Sequence, residues 1–321
     1  MTITTNVLSQ FAIDVRDGLT HFPKSLSSKY FYDAAGDKLF QGIMELDEYY
    51  LTRSEFEIFD THKEKIRSLI SPDHKKFRLV ELGAGDGKKT KVLLEHFLKV
   101  HSEFTYSPID ISGDVLEHLQ ISLKAELPQV NVEPIQGDYF KALKELSYAH
   151  DCKEVVLFLG SNIGNFKKDS GIAFLKHIGD YLEAGDILLT GFDLMKDPAK
   201  ILAAYGDRKG ITRDFNHNLL KRMNDELGAN FDLSTFQHFP TYDPITGETK
   251  SHLISTVDQE VYFEALDQTF HFNEWEAIHT EVSQKYSYKM IEEFAEKSGF
   301  RILENLTDSE GNFVDSVWEK I

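Results

Sequence analysis

The chain has 321 residues, 41% hydrophobic and 27% charged, with a formal charge of −18 at pH 7. That length points to about two domains, and the acidic field repels phosphate backbones and anionic membranes, so neither nucleic acid nor membrane is an expected partner. One cysteine, Cys152, excludes an internal disulfide framework and a cysteine-based zinc site, and the start MTITTNVLSQ lacks the basic-then-apolar pattern of a secretory signal. The expectation is a soluble, cytoplasmic protein, with the net repulsion favouring a monomer.

In chain order, Phe77 to Leu82 (FRLVEL) reads as a buried strand closed by GAGDG. The next segment repeats Leu93, Phe97 and Val100 on one helix face. FTYSPID, 104–110, is a second strand, and Ser112 is a candidate N-cap for a helix with Leu116, Leu119 and Leu123 on one side. VNVEPIQGD (130–138) gives a third strand. EVVLFLG (154–160) gives a fourth, apolar on both faces as a central parallel strand should be. Ile172, Leu175, Ile178 and Leu182 mark a helix expected to stop at Gly185, and 186–194 is a fifth strand.

This alternation argues for an α/β protein with a doubly wound, Rossmann-like parallel sheet. At Asp197-Pro198, an N-cap followed by proline, the pattern breaks. The stretch to about Lys285 reads as an insertion with a helix around Phe215 to Leu227 and turn-rich strands. A helix from Tyr288 to Lys297, Gly299, a strand in FRILENL, a turn at 309–312 and the alternating FVDSVW end the chain. The last two strands form a hairpin, so the final one runs antiparallel at or near the sheet edge. Such a hairpin is more typical of methyltransferases than of dehydrogenases, an analogy at the level of fold.

The sharpest local motif is Glu81-Leu82-Gly83-Ala84-Gly85-Asp86-Gly87 between strand and helix. Gly83 and Gly85 let the backbone turn tightly and approach a ligand. The spacing is not the dinucleotide G-x-G-x-x-G, and Glu81 and Asp86 are hostile to a diphosphate. A cationic ligand carrying an amino acid, such as S-adenosylmethionine, suits the loop better. Asp110 ends the second strand, where a carboxylate can accept from both ribose hydroxyls. Asp138 follows the third, placed to accept from an adenine amino group, with Tyr139 beside it to lie along the ring. Singly, each acid is more often a solvated charge or a helix cap; together they favour the cofactor.

With FLGSNIGNF and HTEVSQKYS added, the chain resembles the S-adenosylmethionine-dependent histidine Nα-methyltransferases of ergothioneine biosynthesis. The likeness runs through PKSLSSKYFYDAAGDKLF, DEYYLTRSE, LVELGAGDGKKT, DFNHNLLKRMNDELGANFDL and TEVSQKY. It implies a class I methyltransferase domain over 59–196 and 286–321, and a substrate-binding domain over 1–58 and 197–285 that closes over the substrate. It further implies that Tyr32, Gly83, Lys89, Asp110, Asp138 and Tyr139 contact the cofactor, Lys89 neutralising its carboxylate. Tyr49, Asn165 and Tyr205 would hold the α-carboxylate and α-amine of the acceptor, with Tyr49 and Asn165 at the reacting group, while Glu281 and Ser283 would hold the imidazole. Ser251 aligns where the family pattern has a pocket-lining Met, and His252 is expected on the opposite strand face.

The activity implied is methylation of the α-amine of L-histidine, up to trimethylhistidine. A related amino acid or amine is the alternative that Ser251 raises. A non-catalytic cofactor-binding sensor is an alternative of another class, disfavoured because a sensor needs no complete acceptor pocket. Among the 13 histidines there is no H-E-x-x-H and no metal-ligand spacing, so no metal is expected.

Overall fold

The computed structural model describes residues 8–73, 75–147 and 152–321; the opening seven residues and Asp151, beside Cys152, lie outside them. In chain order come α1 (Gln10–Thr20), α2 (Ala34–Met44), α3 (Leu51–Ile70), β1 (Phe77–Leu82), α4 (Lys88–Lys99), β2 (Phe104–Asp110) and α5 (Gly113–Glu126). Next are β3 (Asn131–Val132), β4 (Ile135–Gln136), α6 (Tyr139–Ser147), β5 (Lys153–Phe158), α7 (Lys168–Gly179) and β6 (Ile187–Asp193). Then follow α8 (Pro198–Tyr205), α9 (Ile211–Leu227), β7 (Phe236–Tyr242), β8 (Glu248–Ser255), β9 (Gln259–Phe263), β10 (Gln268–Phe272) and β11 (Ala277–Gln284). Last are α10 (Tyr288–Ser298), β12 (Phe300–Thr307) and β13 (Phe313–Lys320). No helix among the described residues is long and apolar enough to cross a membrane.

The backbone divides into two compact units, residues 51–195 with 284–321, and residues 1–50 with 196–283. The first division falls at Tyr50/Leu51, not at 58/59, because α3 is one continuous helix of 20 residues that begins at Leu51. Its buried Leu51, Ile58, Phe59, Ile66 and Ile70 commit the whole of it to one body.

Residues 51–195 and 284–321 build one sheet in the order β12-β13-β6-β5-β1-β2-β3, with β4 also on β2. The β1–β2, β1–β5 and β5–β6 pairs are parallel, while β13 is antiparallel to both β6 and β12. The hairpin expectation therefore holds, with β12 taking the edge. From β1 the chain runs outward to β2 and β3, then returns to lay β5 on the other flank. That reversal leaves a switch point at the carboxyl ends of β1 and β5, where open α/β sheets bind ligands. The single third strand expected over 130–138 is two short pieces, because Pro134 between them has no N–H for the ladder. The expected stop at Gly185 is also corrected. α7 ends at Gly179, and Asp180, Tyr181 and Leu182 wind on through bonds to carbonyls three and four residues back. Leu182 thus stays buried outside the α-helix.

Residues 1–50 and 196–283 pack α1, α2, α8 and α9 with a sheet of order β11-β8-β7 and the antiparallel β9–β10 hairpin. Their core joins Phe31, Leu219, Met223, Leu253, Val261, Phe263, Phe272 and Ile278. Asp197 caps α8 through Ala199 N at 2.9 Å, as the Asp-Pro pair foretells. In β8, residues alternate between half-buried and buried, so Thr249, Ser251, Leu253 and Ser255 share the inward face and His252 takes the other.

Gly36 shows how tightly this unit is closed. It lies in the first turn of α2, where Asp33 accepts from its N–H at 2.7 Å, and a Cβ there would stand 1.8 Å from the Phe31 carbonyl oxygen. In an open helix Gly→Ala stabilises by about 1 kcal/mol. Here Gly36→Ala forces the Ser28–Phe31 turn off α2, and the expected result is a loss of about 1–3 kcal/mol in urea denaturation.

Candidate active site

The turn after β1 is built from glycines with left-handed backbones, Gly83 (φ 74°), Gly85 (φ 55°) and Gly87 (φ 64°). Gly83 N–H donates to Ile109 O at 2.8 Å, fixing the loop to the end of β2, and Gly137 N–H does the same to Asp110 O at 3.0 Å. A Cβ at Gly87 would stand 2.5 Å from Leu119 Cδ1, whereas one at Gly85 would meet nothing within 4 Å. Gly87 is therefore needed for packing, and Gly85 leaves an open cradle.

Around this loop the structure gathers three of the expected cofactor residues, Tyr139, Asp110 and Asp138. The Tyr139 hydroxyl lies over Gly83, 2.8 Å from where a Cβ would be. Burial, with Asp110 and Asp138 close by, pushes the Tyr139 phenol up to about 12, so it stays a donor at neutral pH. Asp110 accepts from Ser112 N–H through Oδ1 at 3.0 Å. Asp138 accepts from Phe140 N–H and Lys141 N–H through Oδ1, so it caps α6. Both acids have a structural task on one oxygen.

Two expectations for the loop change. Glu81 is buried, receiving the Tyr106 and Thr90 hydroxyls, and does not line the cradle. Burial pushes its carboxyl up to about 7 against those two donors. Asp86 is exposed and pairs with Lys88 at 3.1 Å. Lys89, at the start of α4, pairs with Glu55 on α3. Reading the sequence did not single out Glu55, although it sits on the apolar stripe of α3 between Leu51 and Ile58.

Asn165 is exposed at the end of the 3-10 turn Asn162–Asn165 that follows β5. That turn is pinned by the segment before α10. The Tyr286 hydroxyl donates to Ile163 O at 3.0 Å, and a Cβ at Gly164 would stand 3.0 Å from Gln284 O. Ser161, itself left-handed at φ 56°, accepts from Asp193 N–H at 3.1 Å. Asp193 in turn pairs with Lys285 at 2.9 Å, both fully buried. FLGSNIGNF and SQKY are thus two sides of one joint.

The other expected residues fall on residues 1–50 and 196–283. Tyr32 is exposed and meets Phe40 and Phe215 edge-on at 5.6 and 5.7 Å, and half-buried Tyr49 meets Phe40 at 6.4 Å. Tyr205 is buried and donates to Ser283 Oγ at 2.7 Å. Ser251 Oγ donates to half-buried Glu281 at 3.3 Å. Beneath them, Thr280 Oγ1 lies 2.8 Å from Asn216 Oδ1 and 3.0 Å from Ser251 O. The pairs Tyr205–Ser283 and Ser251–Glu281 are brought together on this unit, while Gly83, Gly85, Lys89, Asp110, Asp138, Tyr139 and Asn165 belong to the other.

An acidic glycine turn after β1, with Asp110 closing β2 on a sheet that ends in an antiparallel hairpin, defines a class I methyltransferase. Open Gly85 and the carboxylates around it fit S-adenosylmethionine. A family model described as histidine-specific methyltransferase, SAM-dependent, matches residues 11–320. A histidine N-alpha-methyltransferase of Mycolicibacterium smegmatis is 36% identical over 300 residues, covering 94% of this chain and 92% of that protein. That of Mycobacterium tuberculosis is 35% identical over the same shares of both chains. An L-tryptophan methyltransferase of Psilocybe serbica is 26% identical over 311 residues, 89% of this chain and 86% of that protein. The chain belongs to the histidine-specific, S-adenosylmethionine-dependent methyltransferase family, and it is an S-adenosylmethionine-dependent N-methyltransferase.

Proposed function

We propose that the acceptor is the α-amine of L-histidine, methylated up to three times to trimethylhistidine (hercynine), the chemistry that opens ergothioneine biosynthesis. The observation that carries this reading is Glu281. A half-buried carboxylate that accepts from Ser251 has lone pairs enough to accept an imidazole N–H as well. A ligand without that N–H leaves a desolvated charge unmatched, which is a strong basis for discrimination. The two histidine N-alpha-methyltransferases named above support it.

When bound, S-adenosylmethionine supplies a methyl group on a positively charged sulfur. The work of the chain is then positioning, which carries most of an in-line displacement. Asp110 accepts from the ribose hydroxyls and Asp138 from the adenine amino group, each with the oxygen its backbone task leaves over. Gly83 and Gly85 would let the main chain approach, Tyr139 and Tyr32 would contact the cofactor, and Lys89 would balance its carboxylate. Tyr49 and Tyr205 hold the carboxylate of the acceptor, the Tyr205 hydroxyl turning its one hydrogen from Ser283 to that carboxylate, and Ser283 joins Glu281 at the ring. Asn165 orients the neutral amine without adding charge. The tyrosine rings favour the ammonium that grows as methyl groups are added.

A second reading keeps the reaction and changes the acceptor to a related amino acid or amine. Its support is Ser251, a small polar residue that already engages Glu281, together with the tryptophan methyltransferase among the relatives. Mass spectrometry of the protein with S-adenosylmethionine and a panel of free amino acids decides. Histidine should gain one, two and three methyl masses. Methylation of another amino acid in preference to histidine would replace the first reading by the second.

A further inference from the structure

Glu55 is a fully buried carboxylate on α3, and three features of the fold are arranged around it. Its Oε2 pairs with Lys89 Nζ from α4. Its Oε1 accepts from Gly160 N–H, just past the end of β5, at 2.7 Å. The third feature is a gap. Gly191 lies within β6, where every residue is buried, and a Cβ there would stand 2.5 Å from Glu55 Oε1. A glycine inside a strand often marks such a close approach. Its register partner on β13 is Asp315, also fully buried, and no N–H or O–H donor of the described residues reaches either Asp315 oxygen. The carboxylate of Glu55 thus occupies a site shaped for it, at the end of the sheet that carries the glycine turn.

We propose that Glu55 is a positioning residue of the cofactor cradle, fixing Lys89 Nζ and the Gly160 amide in one arrangement through a single buried carboxylate. This rests on the reading of Lys89 as the partner of the cofactor carboxylate.

The charges near Lys89 are Glu55 from α3, Glu81 from β1 and Asp315 from β13. Three ionised carboxylates around one ammonium would be prohibitive in a dry site. Burial, and then the negative charge of Glu55, raise the Asp315 carboxyl well above the usual range, which favours its protonated form as a donor to Glu55. Burial alone would push the Lys89 ammonium down, but Glu55 outweighs it and holds Lys89 above its ordinary value. Glu55 is therefore the counterion and Asp315 is not.

The test is calorimetric binding of S-adenosylhomocysteine to the full chain between pH 8 and 9, above the range in which Glu81 titrates. Wild type should bind with a flat profile. Glu55→Gln strips Lys89 of its counterion, so burial pulls the ammonium down; affinity should fall about tenfold by pH 9, one pKa unit being a factor of ten. Asp315→Asn replaces a neutral acid by a neutral amide and should bind within about twofold of wild type with a flat profile. A flat, wild-type Glu55→Gln would overturn the proposal, as would an Asp315→Asn that loses tenfold or more. If Glu55→Gln does not fold, as judged by thermal melting, Asp315→Asn decides alone. Lys89→Met separates the two readings. Loss of binding in Lys89→Met without loss in Glu55→Gln defeats only the role of Glu55, whereas wild-type binding by Lys89→Met defeats the assignment of Lys89 and this proposal with it.

Discussion

Lys285→Met should destabilise the protein by about 3–5 kcal/mol, the usual penalty for breaking a buried ion pair from one side. Lys285 and Asp193 are each 0% exposed, with their charged atoms 2.9 Å apart. Methionine fills nearly the same volume, so packing changes little and the loss reports the removal of the cation from a buried carboxylate. The damage also has a direction. Asp193 N–H donates to Ser161, Asp193 O accepts from Tyr286 N–H, and Tyr286 in turn holds Ile163 O. Disturbing Asp193 therefore disturbs the turn that presents Asn165. In urea denaturation the midpoint should drop with the slope unchanged. A second change, Asp193→Leu, should recover part of the loss, because an apolar pair of similar volume often matches a buried ion pair. A loss under about 1 kcal/mol for Lys285→Met would mean that water reaches the pair, as it does in surface bridges.

The same joint shows what can be read from a sequence and what cannot. The five strands and their helices are legible because burial imposes periods of 2 and 3.6, and because Asp110 and Asp138 recur where strands end. Pro134 could have divided the third strand in advance, since a missing N–H is a local property. The end of α7 was less legible, because the apolar spacing continues through Leu182 after the winding tightens. Lys285 gave no signal at all. A lysine between Gln284 and Tyr286 reads as a solvated charge, and its burial depends on Asp193, far away in the chain. Glu55 lies between these cases. An acid on an apolar helix stripe announces burial, yet nothing in the sequence names Lys89, Gly160 and Gly191 as the reason. The family resemblance supplied the acceptor residues, and it did so without their couplings. That Tyr205 donates to Ser283, and Ser251 to Glu281, are facts of the fold.

The Ser251–Glu281 coupling makes the sharpest prediction about function. Glu281→Ala should weaken histidine binding by about 10- to 100-fold, the worth of a hydrogen bond to a charged group. S-adenosylhomocysteine affinity should stay within about twofold, since Glu281 is assigned to the ring of the acceptor and to no group of the cofactor. Asp110→Ala should show the opposite pattern, with cofactor affinity falling by a similar factor and histidine affinity retained. Glu281→Gln refines the argument. It keeps an acceptor oxygen and removes the charge, so it should bind histidine better than the alanine variant and worse than wild type. Ser251 donates in wild type and can still donate to glutamine, so the remaining deficit measures the charge itself. Both variants are read by calorimetry with each ligand in turn. Equal losses for histidine and cofactor in Glu281→Ala would show that this carboxylate supports the fold and does not read the acceptor. The imidazole partner would then have to be sought elsewhere on residues 196–283.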